Sequence, residues 1–437
     1  MAGNPFTYGN PISDPERFFG RQREVEQVFS RLRNREAESS SIVGERRVGK
    51  TSLLHHLAHP QVRQKFDVDS PQYVFIYTDL QMVDASMTPD RLVRRLMRQL
   101  SLQALDEDLK RAAEDLRQAE IIDNFAMADL FDVVDLKGLR VVMLLDEFEK
   151  VTTNSNFGPD FFYGLRSLAI QHNLTLVTSS RSELIELTHS EAIKSSPFFN
   201  IFANINVRLF MEQEARQLIS TSLQDSGVQF SQAETDLLFR LAGLHPFFLQ
   251  AACHFLFEAY TNGSEPAERT NFLVKEFREE AAPHLDDYWF NSRDSEKIVL
   301  AALALLEQRG STGGTGTNQP VFSSGQLKEL YSRSEQTLAH LEKRGLLAHI
   351  DGGYRLFNAS FSQWILSELS NTGNEYNYHE WLKAKGGILE KLGTKARGEL
   401  DEILPKVSDK YRELLVTWAS DPKNWIAVAG LLKTVFP

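Results

Sequence analysis

Apolar residues along the chain recur in two rhythms. Unbroken runs at "SIV" (41–43), "YVFIYTDL" (73–80), "VVMLL" (141–145), "LTLV" (174–177) and "NINVRLF" (204–210) are short and bounded by polar residues, as buried parallel strands are. Stretches with apolar positions at helical spacing separate them, so this part of the chain predicts an α/β core around a five-stranded parallel sheet. One of those stretches, residues 101–120, is acidic and reads as a solvated helical insertion without chemistry. From 211 to 290 the pattern is helical. Residues 295–370 then read helix, loop, helix, helix, hairpin, with a Gly/Thr-rich insert at 311–320 and a Gly352-Gly353 turn between two apolar strands. Residues 375–437 carry three apolar helix patterns, with Trp381, Trp418 and Trp425, broken at Pro405.

Length and charge narrow the class. At 437 residues the chain exceeds what one hydrophobic core usually supports, and its 42% hydrophobic content is ordinary, so two to four packed units are expected. No run of 18 apolar residues occurs, and the first twenty residues lack a basic flank followed by an apolar core; the expectation is a cytoplasmic protein with no membrane span. The single cysteine, Cys253, lies in an apolar helix pattern, which excludes an internal disulfide framework. A net charge of -11 argues against broad affinity for nucleic acid, although one local basic face could still bind it.

The stretch "GERRVGKTS", residues 44–52, turns a fold prediction into a chemical one. Gly44, Gly49, Lys50 and Thr51 satisfy G-x-x-x-x-G-K-[ST], preceded by the run at 41–43 and followed by a helical pattern that stops at Pro60. In that order, backbone N–H groups and a helix N-terminus surround phosphates. Lys50 meets the β- and γ-phosphates and the Thr51 hydroxyl meets magnesium. Glu45, Arg46, Arg47, Val48 and Ser52 complete the candidate nucleotide-binding loop, with the two arginines facing solvent or a neighbouring domain. The run at 141–145 ends in Asp146 and Glu147: Asp146 to anchor magnesium, Glu147 to polarise an attacking water. The run at 174–177 leads to Arg181, a cation placed to reach a γ-phosphate, since ligands of open parallel sheets lie beyond the carboxyl ends of the strands. No [NT]-K-x-D follows the loop, so adenine is favoured over guanine.

Together these motifs resemble the STAND class of signal-transducing ATPases within the broader AAA+ group. "FFGR" (18–21) is similar to the motif that lies about the adenine, which implies roles for Phe19, Gly20 and Arg21; "GERRVGKTS" resembles its Walker A, "LLDEFE" its Walker B, and "VTSSR" the strand end whose arginine senses the γ-phosphate. "LAGLHPFFLQ" resembles the lid motif that packs over the nucleotide, here with Gly243, His245 and Pro246, although Gly-Leu-His-Pro is longer than the frequent Gly-x-Pro. Whether His245 points at a phosphate or caps a turn stays open, because a residue before proline is held extended in either case. Arg166 resembles by position the arginine that AAA+ rings donate to a neighbouring subunit, but a helix-face charge accounts for it as well.

The resemblance implies ATP or ADP with Mg2+, slow hydrolysis, and a switch between a closed monomer and an ATP-bound, self-associating form in signalling or anti-phage defence. The expected organisation is a lead at 1–14, an ATPase domain at 15–210, a helical lid at 211–290, a winged helix at 291–372 and a C-terminal helical region at 373–437 that receives an effector or adaptor protein. Winged helices often bind DNA through their third helix, so a DNA-binding initiator or remodelling AAA+ ATPase is the alternative. Eight basic residues between Arg293 and Arg355 face eight acidic ones between Asp294 and Glu368, which favours a packing element.

Overall fold

The computed structural model describes residues 3–36, 38–194, 197–310, 321–325, 327, 334–350 and 352–370. The expected insert at 311–320 and the C-terminal region at 373–437 lie outside the described residues. The described residues form two units: those of 9–217, and those of 3–8 together with those of 218–370.

The first unit contains, in chain order, α1 (Gln22–Arg33), β1 (Ser39–Val43), α2 (Lys50–Ala58), α3 (Pro60–Lys65), β2 (Tyr73–Asp79), α4 (Pro89–Gln103), α5 (Glu107–Gln118), α6 (Asn124–Leu136), β3 (Arg140–Asp146), α7 (Glu149–Thr152), α8 (Pro159–Gln171), β4 (Leu174–Ser180), α9 (Glu191–Lys194), β5 (Phe202–Asn206) and the start of α10 (Glu212–Leu223). The five strands pair in parallel in the order β2-β3-β4-β1-β5. Alternation along β3 shows why this sheet needs helices on both faces. Val141, Met143 and Leu145 enter one core with α4, α5, α6 and α8, while Val142 and Leu144 enter another with α1, α2 and α3. The P-loop NTPase fold expected from the sequence is present.

Three local expectations change. The strand expected at 174–177 continues through Ser180, because Thr178, Ser179 and Ser180 are buried and paired to β1, with Ser41 opposite Thr178 and Val43 opposite Ser180. The run at 204–210 pairs only from Phe202 to Asn206, and its last residues lead into α10. The stretch 101–120 is two helices, divided where the Asp106 side chain caps α5 by accepting from the N–H groups of Asp108 and Leu109. It is not a solvated insertion: Leu109, Ala113 and Leu116 are buried in the first core.

The second unit continues with α11 (Gln232–Ala242), α12 (Pro246–Thr261), α13 (Pro266–Phe290), α14 (Asp294–Gly310), β6 (Phe322–Ser323), α15 (Ser334–Lys343), β7 (Leu347–Ile350), β8 (Gly353–Leu356) and α16 (Ala359–Ser370). The start of the chain belongs here: Phe6 is fully buried and stacks on Phe230 at 5.9 Å, and Asn4 donates to the His254 carbonyl at 3.0 Å. The hairpin β7-β8 forms as expected, but a short β6 also pairs with β8. A Cβ on Gly353 would lie 2.5 Å from Val321, so this approach requires glycine. The segment after the hairpin is helical, its first turn held by Asn358, whose side chain accepts from the Phe361 N–H at 2.7 Å and donates to the Ala242 carbonyl at 3.2 Å.

Several of the balanced charges here are internal. The Glu296 carboxylate, 2% exposed, bonds His340 at 2.6 Å and Arg344 at 2.9 Å, which ties α14 to α15. Glu307 accepts from the Leu356 N–H at 2.6 Å.

Two predictions follow from this packing. Gly243 has a φ of 62° and a ψ of -153°, a region open to glycine alone, and a Cβ there would lie 2.0 Å from the Phe357 carbonyl oxygen. Gly243→Ala should therefore destabilise the second unit by about 3 kcal/mol or more, read as a lowered unfolding midpoint in urea. Burial pushes the Glu307 carboxyl up to about 8, opposed by its bond from Leu356. The folded state then keeps a proton that the unfolded chain releases, so stability falls as pH rises from the ordinary carboxylate range toward 8. Glu307→Gln should flatten that fall in melting temperatures measured between pH 5 and pH 8.5, about the window set by the two pKa values.

Candidate nucleotide site

The sheet order places β4 between β1 and β3, so the loops that follow these three strands are neighbours. Backbone bonds continue past the strand ends: the Gly44 N–H donates to the Ser180 carbonyl at 3.1 Å and the Phe148 N–H to the Ser179 carbonyl at 2.9 Å. The P-loop therefore starts level with the acidic turn after β3.

Glycine is required at both ends of that loop. A Cβ on Gly44 would lie 2.8 Å from the Val207 carbonyl oxygen, and Gly49 has a φ of 101° where it opens α2. Glu45, Val48 and Lys50 are buried, Arg46 and Arg47 are exposed, and Thr51 and Ser52 are half-buried in the first turn of α2. The Lys50 ammonium donates to the Gly44 carbonyl at 2.9 Å and the Glu45 carbonyl at 3.1 Å. Ser52 accepts from the Ile12 N–H at 3.0 Å, which fixes the chain before "FFGR" to α2.

Of the "FFGR" residues, Phe18 stacks on His56 with centroids 4.1 Å apart, and Phe19 and Gly20 are half-buried. Burial, then Lys65 and His59, lowers the His56 pKa to about 4, so this ring is neutral at physiological pH. Arg21, 4% exposed with a φ of 67°, reaches from this loop to the P-loop and donates through Nη2 to the Val48 carbonyl at 3.1 Å. Its guanidinium also lies 4.8 Å from the Phe210 ring centre, and its N–H donates to Glu214 of α10 at 3.1 Å. A Cβ on Gly20 would meet the same Glu214 carboxylate at 2.9 Å.

At the end of β3, Asp146 is 2% exposed and collects three donors. Tyr77 Oη bonds Oδ2 at 3.2 Å, the Glu147 N–H bonds Oδ1 at 3.1 Å, and the Ser179 hydroxyl also bonds Oδ1. Burial first, then Asp146, pushes the Tyr77 pKa up, so the phenol remains a donor. Tyr77 carries no motif signal, and Ser179 lies within "VTSSR", where only the arginine was given a task; the order of the strands brings both to Asp146. Glu147 is half-buried with a φ of 54°, a left-handed conformation that costs a non-glycine residue about 1–2 kcal/mol. Its N–H also bonds the Ser179 hydroxyl at 3.1 Å, which holds that conformation.

Arg181 follows β4 and is half-buried; its N–H donates to Glu149 Oε1 at 3.2 Å. Glu149 is a member of the site that sequence reasoning passed over. It lies three residues beyond Asp146, is 8% exposed, and its pKa is raised, by burial first and also by Glu147, against the opposing charge of Lys50. Arg166 is half-buried on α8.

His245 belongs to the second unit. Its backbone is extended before Pro246 at the start of α12, its ring packs beside Phe248, Tyr288 and Phe357, and its Nε2 bonds the Tyr288 hydroxyl at 3.0 Å.

A Walker A loop on β1, an acid pair on β3 and an arginine on the strand between them define a P-loop nucleoside triphosphatase. The family model of novel STAND NTPase 2 (nSTAND2) matches residues 34–303, more than half of the chain, and the chain belongs to this family as a STAND-class P-loop ATPase. No curated protein sequence matches it. Among solved structures it is similar to a Walker-type ATPase of Pyrococcus abyssi, with a TM-score of 0.52 and 18% identity over 82% of this chain and 98% of that one. It is also similar to the ORC2 protein of Aeropyrum pernix in its ADPNP-ADP complexes, with a TM-score of 0.52 and 13% identity over 84% and 98% of the two chains. At these identities the likeness is one of fold.

Lys50→Ala should weaken ATP binding about 100-fold or more, since it removes charge-assisted bonds worth about 1.5–3 kcal/mol each. Calorimetric titration checks this, and a variant that still carries nucleotide through gel filtration would contradict the assignment of the loop.

Proposed function

We propose that the protein is an ATP/ADP-dependent molecular switch in signalling or defence, closed with ADP, self-associating with ATP and reset by slow hydrolysis. The observation that carries this reading is the Arg21 strut: one buried side chain joins the Val48 carbonyl of the P-loop to Phe210, while its N–H joins Glu214. The chain passes from the first unit to the second after Gln217, within α10, so this link ties the phosphate loop to the connecting helix. A motor and a switch share the P-loop; a tie from that loop to the connecting helix favours the switch.

In this reading ATP is the substrate, with its adenine near Phe19, Gly20 and Arg21 and its phosphates on the backbone of residues 44–52. Lys50 neutralises the β- and γ-phosphates and Arg181 reads the γ-phosphate. Glu147 orients the attacking water and takes its proton as the bond between the β–γ bridging oxygen and phosphorus breaks. Thr51 and Asp146 fit Mg2+: both offer hard oxygen donors, and the Asp146 Oδ2 accepts only from Tyr77 among the described hydrogen bonds. When bound, the metal would supply charge neutralisation on the phosphates.

We assign residues 15–210 to the nucleotide-binding domain, 211–290 to the lid, where Gly243, His245 and Pro246 shape the turn into α12, 291–372 to a winged helix, and 373–437 to binding an effector or adaptor protein. The buried Glu296, bonded to the half-buried His340 and Arg344, supports a winged helix that packs rather than one that binds DNA. Oligomeric state in ATP and in ADP, measured by light scattering, tests the switch. The expected result is an ADP-bound monomer and a larger species in ATP with turnover below about 1 s⁻¹, the low end of usual enzyme rates. A species of one size in both nucleotides would refute it.

A further inference from the structure

Glu149 is a buried carboxylate of the site to which the motifs give no task. It opens α7, directly beyond the acidic turn of β3, and is more than nine-tenths buried. Its Oε1 accepts from the Arg181 N–H at 3.2 Å, across the gap between β3 and β4. Its Oε2 is buried and has no hydrogen-bond partner among the described residues. Buried carboxylate oxygens are nearly always bonded, so an open one beside a charged site is an acceptor with a use. The cation within its electrostatic reach is the Lys50 ammonium. That group donates to two P-loop carbonyls and has three donors in all, so one more bond is open to it.

We propose that Glu149 is a positioning residue for hydrolysis: it holds the main chain of Arg181 with one oxygen and steadies the Lys50 ammonium with the other, so that both cations meet the terminal phosphate in register. This rests on the reading that Arg181 senses the γ-phosphate. The two glutamates of "DEFE" then divide the work. Glu147 faces the water, and Glu149 aligns the charges that stabilise the leaving and transferred groups. ADP lacks the phosphate that the two cations share, so Glu149 contributes to the preference for ATP over ADP and little to binding of ADP itself.

The test is Glu149→Gln in the full chain, because glutamine keeps the shape and the acceptor for the Arg181 N–H, whereas alanine would strand that amide and could unfold the site. ATP affinity should fall about tenfold and kcat by a similar factor, the loss of one charge-assisted bond, while ADP affinity and melting temperature stay near wild type. Because glutamine keeps the bond to the Arg181 N–H, the loss runs through Lys50, and the double variant Glu149→Gln/Lys50→Ala should be no worse than Lys50→Ala alone. Wild-type preference for ATP in Glu149→Gln, equal weakening of ATP and ADP, or additive losses in the double variant would each overturn the proposal. An Arg181→Ala variant with unchanged ATP preference would instead overturn the underlying assignment of Arg181, and this inference with it.

Discussion

The last two carbonyls of β4 hold the site together. Ser180 accepts from Gly44 and Ser179 from Phe148, so one strand end anchors both the first residue of the phosphate loop and the turn that carries the carboxylates. Because β4 lies between β1 and β3, neither flanking strand can slide without breaking one of these bonds. The Ser179 side chain adds to the same lock: its hydroxyl bonds Asp146, and the Glu147 N–H bonds it in turn, which keeps Glu147 in its left-handed conformation. The strain at Glu147 is thus sustained by the neighbouring strand, as expected of a residue whose direction matters more than its ease.

The elements of this arrangement were legible in the sequence, but their neighbours were not. Five apolar runs and the loop at 44–52 announce a P-loop sheet, because a strand buried on both faces and a glycine-bounded phosphate loop each leave a local signature. Strand order leaves none. Tyr77 and Ser179 reach Asp146 only because β2 and β4 flank β3, and Glu149 was overlooked because its partner, the Arg181 N–H, is a backbone group on another strand. Polarity concealed only the end of β4, whose buried Thr178, Ser179 and Ser180 lie beyond the apolar run at 174–177. The helix at Ala359–Ser370 was hidden behind the glycines of the hairpin, and its start became visible only through the cap that Asn358 provides.

Gly243 shows how a residue can be singled out in the sequence while the reason for its identity stays out of sight. It was singled out for its place before His245 and Pro246. What demands glycine is the Phe357 carbonyl, more than a hundred residues away, pressed against its Cα. His245 is held by the same cluster, ringed by Phe248, Tyr288 and Phe357 and bonded to the Tyr288 hydroxyl. The turn between α11 and α12 is therefore built against α13 and the segment leading into α16, and a displacement of either would be felt at the start of α12.

Lys50 supplies the remaining step of the argument. Its ammonium is bonded to the Gly44 and Glu45 carbonyls, so two of its three donors are engaged by the loop's own backbone. At the far side of the loop the Val48 carbonyl is fixed by Arg21, whose N–H is fixed in turn by Glu214 at the start of α10. A loop held at Gly44 by β4 and at Val48 by Arg21 responds to a change in Lys50 bonding chiefly between those anchors, at Glu45, Arg46 and Arg47. Any strain that this segment passes on through Val48 goes to Arg21, because the Gly44 end is fixed to the sheet. Buried ion and amide contacts of this kind have few alternative arrangements. The bonds at the two ends of the loop thus form a short chain from the P-loop through Arg21 to α10.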